Sequence, residues 1–396
     1  MKVGIVGAGV SGLVAAIELE KAGVDVEFFE GTDAAGGRIK TTLADDVPFD
    51  HGFQVLQTAY PLVKEYLNVD ALDLKKFKPG AAIFSNGNIH KIGDAFRDGS
   101  FFWSTISAPI GSFRDKLKVL ALANMVKKMS INDVFSVQEQ STQSYLKAFG
   151  FSDRIIDSFF KPFYSGIFFE TELKTSVRKF LFTYKMFAQG YAAIPNKGIE
   201  AIPNQLRDKL SKATFNFNKK VNSIEDAIVY CENEKYEFDY VIDATNRSDK
   251  IKWLTCNNFY FNAPESKLNS PILGLIANQN VLINNLHYLT DIQSVNSKKS
   301  ILSVTVIGKH KIEESEFVEK VKSELKTECN ITNLEFIRRF EVKKALPDLG
   351  SQSYGPNAES LWVDSKTLKI GDHTCNASLN SAMLSGKLAA HAVIGK

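Results

Sequence analysis

The chain has little net charge, few cysteines and no long apolar run, and each shortage removes a class of function. Its 48 Lys and Arg against 45 Asp and Glu leave a formal charge of +3 over 396 residues. That surplus is too small to point to nucleic acid or to a strongly acidic partner. The four cysteines (231, 256, 329 and 375) are scattered without a C-x-x-C pair. They read as reduced core thiols of a cytoplasmic protein, not as a disulfide framework or a zinc site. No apolar run is long enough to span a bilayer. An apolar strand begins at residue 2, so no secretory leader is expected. The histidines at 51, 90, 287, 310, 373 and 391 never fall at metal-ligand spacing, and no metal is expected. There is no G-x-S-x-G nucleophile elbow, no internal repeat and no low-complexity segment. The one excess is phenylalanine: 29 residues, many between 77 and 187. Most should fill a core, and a minority line an apolar substrate cavity or rest on a membrane surface.

What is there begins at the first residues. Lys2-Val3-Gly4-Ile5-Val6 is a short apolar strand running into Gly7-Ala8-Gly9-Val10-Ser11-Gly12, followed by a helix-patterned stretch with Ala16, Leu19 and Gly23 on one face. Val24, Val26 and Phe28 mark a second strand ending at Glu30. Gly7 permits the tight strand-to-helix turn, Gly9 lets a pyrophosphate approach the main chain, and Gly12 lets the helix pack closely on the sheet. The free N–H groups and positive dipole end of that helix, with Val10 and Ser11 in its first turn, then face the phosphates. Glu30 stands where a carboxylate can accept from ribose hydroxyls. The strand, the helix and the acid agree with the glycines, and together they make a dinucleotide cradle.

The length favours about two domains, and the pattern reads as two domains woven together. Segments 1–76, 191–251 and 346–396 are expected to form the nucleotide-binding domain, and 77–190 with 252–345 a mixed α+β substrate domain. Within the second, Ala81–Phe84 and Ile89–Ile92 flank the hairpin pair Asn86-Gly87. Residues 112–160 carry helical spacing (Leu117, Leu120, Ala121, Met125). Strands are expected at Ala227–Cys231, Tyr236–Ala244, Ile272–Ile276, Tyr288-Leu289, Ser303–Ile307 and Phe336–Val342, with a charged helix over 313–327 and a break at Leu346-Pro347. The tail reads as a strand to Ile370-Gly371-Asp372 and a helix from Ser378 to Val393.

With those pieces in place the chain resembles the flavin-dependent amine oxidase superfamily, which includes protoporphyrinogen oxidases and phytoene desaturases. Four stretches carry the resemblance: the opening cradle with Glu30, Gly36-Gly37-Arg38, Asp50-x-Gly52, and the tail Gly371-Asp372 with Ser378 to Gly386. Phe159–Phe163, Gly166-Ile167-Phe168 and Pro195-x-x-Gly198 look most like the phytoene-desaturase-like branch. The resemblance implies FAD on a Rossmann-type α/β domain. Arg38 is a planar cation suited to its pyrophosphate, and the Val221 main chain would pair with adenine. Asp372 would take a ribityl hydroxyl, while Leu379 and Asn380, opening a helix, would approach the ring, where the helix dipole favours a reduced flavin's charge. Each also has a plain reading: a surface arginine, a strand valine, an N-cap and turn. His51 can position substrate or sit as a satisfied structural histidine.

The implied activity is hydride removal from a hydrophobic or aromatic small molecule. Val241–Thr245 lacks the glycines of an NAD site, so oxygen or a quinone is expected to take the electrons. No lysine can be assigned to the flavin-facing position that amine oxidases often use. Two other outcomes stay open: an isomerase that keeps its flavin reduced, and a flavin-free binder like the Rab-escort and GDP-dissociation-inhibitor proteins.

Overall fold

The computed structural model describes residues 1–85, 87–246 and 251–396. Asn86 of the expected turn, and residues 247–250 ahead of the boundary at 251, lie outside the described residues. Lys2–Val6 is the middle strand of a five-stranded parallel sheet. Asp25–Phe29 and then Thr214–Asn216 lie on one side, Tyr240–Asp243 and then Thr367–Lys369 on the other. The opening helix Val10–Lys21 packs along the closing helix Leu379–Ile394. Gly386 explains how closely: a Cβ there would stand 2.2 Å from the Ser11 carbonyl oxygen. Any side chain at that position pushes the two helices apart, so the first and last helices of the chain are fixed to each other at backbone contact.

The second sheet has seven strands in the order Glu335–Pro347, Trp253–Ala263, Ser300–Ile307, Ile283–Tyr288, Leu273–Ile276, Gly80–Ser85, Asn88–Gly93. It is antiparallel except where Leu273–Ile276 runs parallel to Gly80–Ser85. The helix Glu314–Cys329 covers one face through Phe317, Val318, Val321 and Leu325. A run of helices from Phe113 to Gln189, including Phe113–Lys128 and Val177–Gln189, joins the same apolar core as the opening and closing helices, while Phe101 of the preceding helix packs with the seven-stranded sheet. Twelve of the 29 phenylalanines lie in or against that shared core, with Phe28, Phe160, Phe168, Phe180 and Phe182 fully buried.

Three expectations are corrected. The strand expected over Tyr236–Ala244 is two, Glu234–Glu237 and Tyr240–Asp243, in different sheets. The turn between them is pinned by the Lys2 N–H donating to Asp239 Oδ2 at 2.7 Å. The break at Leu346-Pro347 is absent: Leu346 and Pro347 still pair with Leu254 and Trp253. Pro347 is tolerated because its strand is the sheet edge, where a missing N–H goes unused. Tyr288-Leu289 is a strand end followed by one helical turn, Leu289–Ile292.

Candidate functional site

The turn from Val6 into the opening helix has two features that the packing of the described residues does not account for. Gly9 caps the helix with ordinary extended angles (φ −76°, ψ 176°), and no side chain caps the first turn. Yet Val10, Ser11 and Gly12 are buried, and a buried helix end without acceptors is a place for an anion. A Cβ on Gly9 would meet nothing closer than the Gly37 Cα at 3.9 Å. Protein packing therefore does not demand a glycine there. Gly12 differs, since its Cβ would sit 2.3 Å from the Gly7 carbonyl oxygen. Gly9 keeps space open; Gly12 keeps the turn tight.

Glu30 lies at the end of Asp25–Phe29 and is buried. Its Oε2 accepts from the Ala8 N–H at 2.9 Å, and its Oε1 from the Thr32 N–H and hydroxyl, both at 2.9 Å. Gly36 donates its N–H to the Ala8 carbonyl at 2.9 Å and bridges Gly9 in parallel, which sets the Gly36-Gly37 turn over the cradle. Val221 sits close by. The Lys219 N–H donates to the Glu30 carbonyl, and Val221 packs with Val6 and Phe29. Cradle, acid, glycine pair and valine thus surround one place.

The two ends of the sequence meet at Arg38. Its guanidinium pairs with the Asp372 carboxylate and donates to the Ala345 carbonyl at 3.2 Å. Asp372 is buried just past Gly371, whose N–H donates to Ser385 Oγ at 3.1 Å. The closing helix is capped by its own side chains: Ser378 Oγ accepts from the Ser381 N–H, and Ser381 Oγ from the Ser378 N–H, both at 3.1 Å. Part of the expected N-terminal donor set is therefore spent on a capping box. Asn380 is fully buried, accepting from the Leu62 N–H at 3.2 Å and donating to the Tyr354 hydroxyl at 3.4 Å. Leu379 is part-buried at the helix mouth.

Two residues absent from the sequence-based candidates stand out. Lys179, on Val177–Gln189, is buried, and its Nζ donates to the Ala377 carbonyl at 3.1 Å, directly ahead of the closing helix. Burial lowers its pKa to about 8, against the pull of Asp372. The signal was its spacing: Phe182, Thr183 and Met186, three, four and seven residues on, are all buried on that helix face. His287 is the second. It lies buried between Phe53 (ring centroids 4.6 Å) and Phe77 (5.8 Å), with no partner for Nδ1 among the described residues. Burial takes its pKa down to about 3, so it is neutral.

His287 lines a small cavity with Asp50, Gly52, Phe53, Ile194 and Tyr260, where the first-domain strands face the seven-stranded sheet. His51 faces elsewhere. Its Nε2 pairs with the Thr42 hydroxyl at 2.7 Å, and its ring stacks on Phe340 at 4.0 Å. Burial, then Lys40 and Arg338, lowers its pKa.

Asp50 accepts from the Thr41 hydroxyl at 2.6 Å and the Ile199 N–H at 2.9 Å. Burial still raises its pKa from 3.8 to about 6, with Glu200 adding to the shift. The stability this group adds is complete below pH 3.8 and lost as pH rises through about 6. Asp50→Asn keeps the acceptor and removes the charge, so it should raise stability at pH 7 by up to about 3 kcal/mol and flatten the fall between those pH values. Thermal melts across that range test it, and a variant melting below the parent at neutral pH contradicts it.

The model of the flavin containing amine oxidoreductase family matches residues 10–249. The chain is 26% identical over 167 residues to protoporphyrinogen oxidase 2, chloroplastic/mitochondrial, of Arabidopsis thaliana, covering 42% of this chain and 32% of that protein. It is 33% identical over 82 residues to hydroxysqualene dehydroxylase of Sinorhizobium fredii, 20% of each. The chain thus spans a third or less of the length of these curated relatives. An oxidoreductase from Methanosarcina mazei has the same fold, with a TM-score of 0.73 at 17% identity over 100% of both chains. The chain belongs to the flavin-containing amine oxidoreductase family.

Proposed function

We propose that this chain is an FAD-dependent oxidoreductase that removes a hydride from an apolar small molecule, as a desaturase or oxidase does, with oxygen or a quinone taking the electrons. One observation carries the reading. At the buried helix start, where no side chain caps, stands a glycine whose Cβ would meet no described atom closer than 3.9 Å, and a phosphate accounts for both facts. Gly7, Gly9, Val10, Ser11 and Gly12 would hold the pyrophosphate, with Gly36, Gly37 and Arg38 over it. Glu30 would hold the ribose, the Val221 main chain the adenine, and Gly371, Asp372, Leu379 and Asn380 the ribityl chain and ring.

When bound, the flavin supplies the hydride acceptor. The chain's own task is to hold a C–H bond in reach and exclude water. Phe53, Phe77 and Ile194 offer an apolar wall for that, and neutral His287 offers an unpaired ring nitrogen to orient a polar atom of the substrate. The apolar substrate named in hydroxysqualene dehydroxylase supports the substrate class. Val241 and Ile242 belong to a strand of the same sheet as the cradle, and their segment has no glycine fingerprint of its own, which supports an acceptor other than nicotinamide.

The test is direct. Purified protein should release FAD on heating, and anaerobic mixing with apolar amines, polyenes and tetrapyrroles should bleach it with one class. Turnover without bleaching assigns an isomerase instead. A colourless protein that refuses FAD ends the reading.

Glu30→Ala removes a charged acceptor whose hydrogen bond to a ribose is worth about 1.5–3 kcal/mol. FAD affinity, read by titration of apoprotein, should fall about ten- to a hundredfold. Because Glu30 also holds Ala8 and Thr32, melting is recorded alongside. Undiminished affinity counts against the ribose role.

A further inference from the structure

Of the twelve large apolar side chains that stand exposed among the described residues, seven fall between Phe96 and Leu120. They stand on, or just before, two neighbouring anchored helices. The first, Phe101–Ser107, is fastened inward by Phe101, whose ring lies where a Cβ on Gly80 or Gly93 would be, and by the Thr105 hydroxyl, which accepts from the Gly93 N–H at 3.0 Å. That leaves Phe102, Trp103 and Ile106 facing out, with Phe96 just before them; Phe96 is 86% and Trp103 76% exposed. The second helix, Phe113–Lys128, buries Leu122 and Val126 against the core. Phe113, Leu117 and Leu120, at positions i, i+4 and i+7, share its outer side. Lys116 latches the two helices, donating to the carbonyls of Ile106 at 2.7 Å and Ala108 at 2.8 Å.

The charge on the second helix is one-sided, and the two carboxylates beside Phe96 are engaged locally, Asp94 by the Phe96 N–H and Asp98 by the Ser100 N–H and Lys78. The second helix carries Arg114, Lys116, Lys118, Lys127 and Lys128 against a single carboxylate, Asp115. Asp115 is buried and held by the N–H and hydroxyl of both Ser112 and Ser152. A helix with five cations and no outward acid stands out in a chain whose formal charge is only +3.

We propose that this surface docks the protein onto an anionic lipid bilayer, with Trp103, Phe102 and Phe113 entering the headgroup–acyl boundary and Arg114, Lys127 and Lys128 meeting the headgroup charge. Aromatic tips on a helical surface, flanked by exposed cations, are the composition of an interfacial anchor. A second copy fits less well. A two-fold dimer through this patch would set the same cations against each other. Among the described residues no helix is long and apolar enough to cross a membrane, so the contact is peripheral.

The test uses the full chain with its bound flavin. It should sediment with phosphatidylglycerol-rich vesicles more than with phosphatidylcholine vesicles, and its tryptophan emission should shift to the blue on binding. Trp103→Ser, Phe113→Ser and Leu117→Ser combined should weaken vesicle binding at least about tenfold while flavin content and melting stay unchanged, since all three side chains point outward. Lys127→Glu with Lys128→Glu should abolish the preference for anionic vesicles at low salt. No sedimentation with anionic vesicles, or equal sedimentation of the triple variant, overturns the proposal. So does a parent dimer that the triple variant converts to monomer, which would make the patch a self-interface.

Discussion

Replacing Gly9 with valine should give a folded protein that purifies without flavin colour and takes up none from solution. The backbone at Gly9 is in a region open to any residue, and among the described residues its Cβ would meet nothing closer than 3.9 Å. Melting should therefore hardly move. A valine side chain at the helix start would occupy the opening through which the proposed pyrophosphate reaches the main chain. Losing two or three charge-assisted hydrogen bonds, each worth about 1.5–3 kcal/mol, should weaken binding about a hundredfold or more. The control is Gly12→Val, where the Cβ would lie 2.3 Å from the Gly7 carbonyl oxygen and folding itself should fail. Visible absorbance and FAD titration distinguish the two variants. A Gly9→Val protein with a full flavin complement would mean that the phosphates lie elsewhere.

The opening strand–turn–helix was legible because its signals are local. Three glycines, a strand before and a helix after are set by neighbours in sequence, and Glu30 follows at a fixed distance. Arg38 and Asp372 could each be singled out, but not their pairing. It arises because Thr367–Lys369 joins the parallel sheet beside Tyr240–Asp243, and because Gly386 lets the last helix touch the first. Such long-range meetings leave no local trace. Pro347 misled for a related reason: a proline ends a central strand but not an edge strand, and edges are assigned by the whole sheet. His287 was one histidine among six until Phe53 and Phe77 enclosed it. The serines ahead of the closing helix fitted either a capping box or donors for a ligand, and only side-chain geometry distinguishes the two.

The other large effect is expected at Lys179. Its ammonium is buried with a hydrogen bond to the Ala377 carbonyl, and burial lowers its pKa from 10.5 to about 8, with Asp372 offsetting part of the shift. A shift of that size corresponds to roughly 3 kcal/mol against the charged form. For a group whose folded pKa is depressed, the stability it contributes is complete above pH 10.5 and lost as pH falls through about 8. At neutral pH the fold therefore carries a charged lysine at a net cost. Lys179→Met keeps the length and apolar contacts and removes that charge, so it should raise the melting temperature at pH 7 by several degrees and abolish the gain in stability between pH 8 and 10.5. If the cation is kept for the cofactor, the same change should lower the flavin reduction potential by tens of millivolts, roughly 30 mV per 1.4 kcal/mol for two electrons. A cation beside Asp372, ahead of the closing helix, favours added electron density. Thermal melts against pH and dye-equilibrated reduction measure the two effects separately. A variant that melts lower at neutral pH with an unchanged potential would make Lys179 a clamp on Ala377 and nothing more.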